Sequence, residues 1–227
     1  MSEMLKKKVS TVRQMLSTIM LFGDKDCRAC AQYTSLALDA AFAAHCGTRK
    51  DGKTPEFLHQ MEIALLVCNL PDFSPKEILF LITGAIVHDF KEDHPIHYDI
   101  FNHNVEVSTD GETYLLTDRD LPLRIERLSE LMDKNEHDCT QDYYDALSKD
   151  PILAAIKGAD RIHNLGTMQG VFTQEKIERY IAETEKYVLP MLKKARRAFP
   201  QYQRAYELLK FYINQQLNFF KKGLHIE

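Results

Sequence analysis

Apolar residues recur every three or four positions in VRQMLSTIMLF, YTSLALDAAFAAH and FLHQMEIALLVCNL, the repeat of a helix that buries one face. The first half of the chain is therefore expected to be helical. NLPDFSPKEILFLITGAIVHDF closes one helix at Pro71 and opens the next with Ser74 at the cap and Pro75 at the first helical position. From Ile78 to Val87 this second helix is apolar nearly all round, which predicts a central, buried element. Between Asp93 and Asp120 the pattern breaks down, and VEVS, TDGE and TYLLT predict a small hairpin on an Asp-Gly turn. Helical spacing returns in LPLRIERLSELMDK, YYDALSKDPILAAIKGADRIHNL and TQEKIERYIAETEKYVLPMLKKARRAF, with Pro190 expected to kink the last of these. A final helix is expected from about Gln201 to Phe220. The class is all-α, with at most a small β-hairpin insertion.

Composition narrows the picture without changing it. A chain of 227 residues suits one domain, or one domain with a helical extension. Its 44% hydrophobic and 27% charged residues are ordinary for a globular protein, and a net charge of -4 gives no general attraction for nucleic acid or anionic membrane. No apolar stretch approaches the roughly 18 residues of a membrane span, and the basic N-terminus lacks the apolar block and cleavage site of a signal peptide. The expected location is cytoplasmic. Five irregularly spaced cysteines agree with a reducing compartment, and the single CRAC pair, Cys27 to Cys30, reads as two ordinary thiols.

The chemistry concentrates in AIVHDFKED. On a continuous helix His88 would stack under Glu92 and Asp89 under Asp93, so four acceptor groups crowd one helix end. Carboxylates that close repel one another unless water solvates them or a cation compensates. The cation reading is favoured because His88 and Asp89 directly follow the most apolar helix of the chain. An adjacent His-Asp supplies only two ligands, and a divalent ion wants more. His59 lies on an apolar helix stripe, where a lone histidine is more often a hydrogen-bonded core residue. Asp160, in IKGADRIHNL, would be costly to bury without a counter-ion. Together they complete a His, His-Asp, Asp set.

A histidine, an HD pair and a later aspartate, in that order on a helical chain, resemble the HD-domain metal-dependent phosphohydrolases. More narrowly, HCGTRKDGKTPEFLHQMEIA, HDFKED and KGADRIHNLGT resemble three successive motifs of the hydrolase domain in the RelA/SpoT homologues, which remove the 3'-pyrophosphate from guanosine tetra- and pentaphosphate alarmones. The resemblance implies an HD-type helical bundle over residues 1–173, with residues 174–227 as C-terminal helices packed on it or extending it. It implies His59, His88, Asp89 and Asp160 as metal ligands, with one manganese ion per chain. Glu92 and Asp93 match the family's catalytic acidic pair. Arg49 and Lys50 match a basic pair that contacts the guanine nucleotide, and Asn164 and Thr167 match positions lining the nucleoside pocket. Only about sixty residues follow Thr167, so a small, stand-alone alarmone hydrolase is expected rather than one followed by a synthetase domain. Departures occur at Gln60, Asp51 and Glu56, where the family commonly has Pro, Ser and Tyr.

Two other readings stay open. One is an HD nucleotidase or nucleoside triphosphate hydrolase of different specificity. The other is a non-catalytic helical module that binds a nucleotide. The sequence carries no signal for oligomeric state.

Overall fold

In the computed structural model of the protein, residues 2–99, 101, 120–132 and 141–224 are described, with the backbone alone for 120–124 and 224. The chain is all-α, as its periodicity predicts. Among the described residues there is no strand, and the one β-type contact is an isolated antiparallel bridge between Thr48 and Pro55. The hairpin expected between residues 105 and 117 lies outside the described residues. No described helix is long and apolar enough to cross a membrane.

Two compact units divide the chain: Met1–Cys68 with Ser74–Asp138, and Asn69–Phe73 with Cys139–Glu227. The boundary expected between residues 173 and 174 falls inside the second unit, in the turn before its third helix.

The first unit contains α1 (Glu3–Phe22), α2 (Lys25–Ala44), α3 (Leu58–Val67), α4 (Pro75–Val87), α5 (Phe90–Asp93), α6 (95–99) and α7 (Asp120–Met132). Leu5, Val9, Val12 and Leu16 of α1 are four and three positions apart and form one buried stripe. Asp24 caps α2 by accepting from the Cys27 N–H, a bond whose loss typically costs about 1 kcal/mol. The start of α4 is the one the sequence predicts. Ser74 and Glu77 form a reciprocal capping box, and Pro75 occupies the first turn. Every residue from 79 to 87 is buried, and α4 packs against α2, α3 and α7. This central helix delivers His88 and Asp89 from the core.

The second unit is built on α9 (Pro151–Thr167), buried from Ile152 to Ile162 and packed against α8 (Gln141–Leu147), α11 (Leu189–Ala198) and α12 (Gln203–Leu224). The sequence predicts one helix through YYDALSKDPILAAIKG, but it breaks in two. Asp150 caps α9 by accepting from the Ile152 and Leu153 N–H groups, and Pro151 at the first helical position cannot continue the helix before it. Gly158 lets α11 and α12 approach: a Cβ there would stand 3.1 Å from Leu192 Cδ2 and 3.2 Å from Leu209 Cδ1. The expected disturbance at Pro190 takes a definite form. After α10 (Gln174–Glu183) the helix widens into a π turn over Thr184–Val188, and Pro190 sits in the first turn of α11. The last helix begins after a 3-10 turn at Pro200–Tyr202 and runs a little further than its pattern suggests.

Residues 69–73 belong to this unit through two contacts. Arg204 donates to Asp72 from its backbone N–H at 2.9 Å and from Nε at 2.6 Å, and Phe73 stacks on Tyr202 at 4.3 Å between ring centroids.

Candidate metal centre

The helix expected to run on through HDFKED stops at Val87. His88 keeps helical dihedrals, but Asp89 adopts φ -104° and ψ 2°, and α5 starts afresh at Phe90. The stacking of all four groups on one continuous helix is thereby corrected: two short segments meet at Asp89. Asp89 and Asp93 remain one turn apart, joined by the Asp93 N–H to the Asp89 carbonyl at 2.8 Å. Phe90 is fully buried against Tyr98 and anchors the restart.

The break turns Asp89 toward two histidines. His59 projects from the first turn of α3, and His88 closes α4; both are buried, with ring centroids 5.1 Å apart. Asp89 Oδ2 lies 3.0 Å from His88 Nε2 and 3.6 Å from His59 Nε2, and a ligand atom from each of the three residues lies within 4.8 Å of the others. His88 Nδ1 stands 2.9 Å from the Ala85 carbonyl, which can only accept, so Nδ1 carries the proton. The neutral ring then points the lone pair of Nε2 at a carboxylate. Two such electron-rich atoms at 3.0 Å need positive charge between them, either a second proton on the ring or a metal ion. A backbone carbonyl that fixes the tautomer of a histidine in this way is the usual support of a metal ligand. The donor set fits a divalent ion, and His59, His88 and Asp89 are the residues that would hold it.

Asp160 sits on α9 in the second unit, and it finds its counter-ion there. Lys157 Nζ lies 3.3 Å from Oδ2, and Asn164 donates to Oδ1. Thr167 is exposed at the end of α9 and bonds back to the His163 carbonyl at 3.0 Å. Of the four expected ligands, the first unit brings together three.

Arg49 and Lys50 lie on the loop between α2 and α3, Arg49 half-buried and Lys50 exposed. The loop is closed by its own bonds. The Arg49 N–H donates to the Thr54 carbonyl and the Gly52 N–H to the Arg49 carbonyl, each at 2.8 Å, with Gly52 at φ +66° where a side chain would be strained. Asp51 accepts from the Lys53 N–H, the Thr54 N–H and the Thr54 hydroxyl. The Thr54 hydroxyl and these backbone donors hold the Asp51 carboxyl down to about 2.

On α5, Glu92 is half-buried and Asp93 is exposed. Loss of hydration at this crowded helix end, followed by the charges of Asp89, Glu56 and Glu92, pushes the Asp93 carboxyl up to about 6 against the pull of His94.

Three further residues converge that the sequence does not mark as ligands, Glu56 among them standing out only as a departure from the family pattern. His45 closes α2, Glu56 precedes α3 and His94 closes α5. Glu56 Oε1 is 3.5 Å from His45 Nδ1 and 3.6 Å from His94 Nε2, and the two imidazoles meet edge to face at 4.4 Å. Burial first, and His94 next, push His45 down to about 4 against the attraction of Glu56 and Asp89. Nothing in their spacing, 11 and 38 positions apart, marks them as a group. No protein-family profile matches the chain, and no curated protein or solved structure shows significant similarity to it.

Proposed function

We propose that the chain is a divalent-metal-dependent phosphohydrolase that removes the 3'-pyrophosphate of guanosine tetra- and pentaphosphate, leaving GDP or GTP. The supporting observation is the convergence of His59 Nε2, His88 Nε2 and Asp89 Oδ2 beside the acidic helix α5. When bound there, a divalent ion, for which the resemblance implies manganese, supplies a water of lowered pKa and neutralises charge on the phosphoryl oxygens.

The chain's own groups do the rest. His59, His88 and Asp89 fix the position of the centre, with the Ala85 carbonyl holding the His88 ring in its ligating tautomer. Glu92 takes a proton from the attacking water, and Asp93 shares that role at the same helix end. Arg49 and Lys50, on their closed loop, pair with phosphate oxygens. Attack at the phosphorus next to the ribose 3'-oxygen makes one bond from the water oxygen and breaks the bond to the ribose. The proton goes to the departing 3'-oxygen, and pyrophosphate is released.

The test is turnover of the tetraphosphate by the manganese-loaded, full-length protein with identification of products. Pyrophosphate and GDP are expected. Orthophosphate released from nucleoside monophosphates would assign a nucleotidase instead, and nucleotide binding without turnover would assign a binding module. Asp160→Ala is the companion variant, because the ligand role of Asp160 rests on the resemblance alone: loss of the ion supports that role and a full complement removes it.

A further inference from the structure

The geometry points to a second cation site, formed by His45, Glu56 and His94, that takes a borderline divalent transition ion such as zinc and fastens both stems of the Arg49–Lys50 loop to the end of α5. It does not depend on the nucleotide reading above.

The first argument is hydrogen bonding. His45 is 3% exposed, and neither of its ring nitrogens has a hydrogen-bond partner; His94 Nε2 is likewise buried without one. Buried polar atoms in folded proteins are satisfied in the great majority of cases, and each failure costs about 1–3 kcal/mol. Orphaned nitrogens from two rings facing one carboxylate oxygen are too concentrated to be packing accidents.

The second argument is distance. Hydrogen bonds between imidazole and carboxylate run near 2.7–3.0 Å. The separations here are 3.5 and 3.6 Å, too long for that bond. An ion bound at about 2.0–2.1 Å to each of two ligands in tetrahedral arrangement sets those ligands about 3.3–3.4 Å apart. The observed spacing is close to the edge of such a coordination polyhedron. Two imidazoles and one carboxylate make a donor set suited to zinc, cobalt or nickel, with a fourth position left for water.

The third argument is placement. His45 and Glu56 are the two ends of the segment that carries Arg49, Lys50 and the Asp51 turn, and they are brought together even though ten residues separate them. His94 follows Glu92 and Asp93 on α5. One ion at this point joins the ends of α2 and α5 to the residue leading into α3, so the basic loop and the acidic helix are held in fixed register.

The experiment is metal counting on the stripped, full-length protein after equilibration with zinc, and with cobalt(II) as a spectroscopic probe, circular dichroism confirming that each variant is folded. Wild type is expected to hold about two ions per chain. Glu56→Gln and His94→Ala should each hold about one, Asp89→Asn about one, and the double variant Glu56→Gln, Asp89→Asn none. Trypsin supplies a second readout. In Asp89→Asn, zinc should slow cleavage after Arg49 and Lys50 by about tenfold, and in Glu56→Gln it should not. Wild-type stoichiometry retained by both Glu56→Gln and His94→Ala would overturn the site, as would equal zinc protection in Asp89→Asn and Glu56→Gln. None of these measurements uses turnover, so a failure here is separate from a failure to hydrolyse the alarmone.

Discussion

Lys157 Nζ lies 3.3 Å from Oδ2 of Asp160, one turn along the same helix, with both side chains almost wholly buried. Burial opposes the ammonium, but Tyr143 and Asp160 outweigh it and hold Lys157 well above its ordinary value. Removing the Lys157 cation takes the charge at 3.3 Å away from a buried carboxylate, and breaking a buried pair from one side costs about 3–5 kcal/mol. Lys157→Met should lose about that much in urea unfolding with chelator present. The double variant Lys157→Met, Asp160→Leu should recover most of it.

Acid should weaken the second unit through Glu183. Burial works against its charge, yet the Arg161 guanidinium and the Tyr144 hydroxyl, which donates at 2.7 Å, hold the carboxyl below the ordinary 4.5. A carboxyl depressed in the folded state contributes stability that is present above its unfolded pKa and is lost as pH falls through the folded one. Wild type should therefore lose stability below pH 4.5 more steeply than Glu183→Gln. Parallel curves in thermal melts across that range would remove the effect.

Glu92→Gln keeps shape and removes charge. Metal content should stay near wild type while kcat against the tetraphosphate falls on the order of 10²-fold or more. Full turnover with full metal content would remove Glu92 from the proton transfer.

His88→Asn should empty the first centre and leave the second. The variant removes the Nε2 ligand but not the helix that presents it, so helicity by circular dichroism should be preserved while the ion count drops by about one. A drop of about two would mean that the clusters bind as a unit.

The legibility of these features follows from their range along the chain. The start of α4 was readable because Ser74, Pro75 and Glu77 carry the whole capping interaction within four residues. The Asp150–Pro151 break before α9 carries an equally local signal, but the apolar rows on either side, ending at Leu147 and resuming at Ile152, mask it. The restart at Asp89 has no glycine or proline to announce it, since any residue tolerates its dihedrals. His59, His88 and Asp89 could be picked out because each interrupts an apolar run. His45, Glu56 and His94 stand at helix boundaries, where polar residues are expected for ordinary reasons, and only tertiary structure brings them together.

The Asp51 turn shapes the entropy of binding at the basic loop. Ordering a free loop costs about 1–2 kcal/mol per residue of backbone. Here the bonds from Lys53 and Thr54 to Asp51 and the Gly52 turn meet that cost during folding. An anion that bound at Arg49 and Lys50 would meet a backbone already closed on itself and would pay little entropy for ordering it. Gly52→Ala would leave Arg49, Lys50 and the Asp51 charge in place and strain the turn at φ +66°, and it should weaken anion binding. Calorimetry should register the loss as a more unfavourable entropy of association, with the enthalpy nearly unchanged.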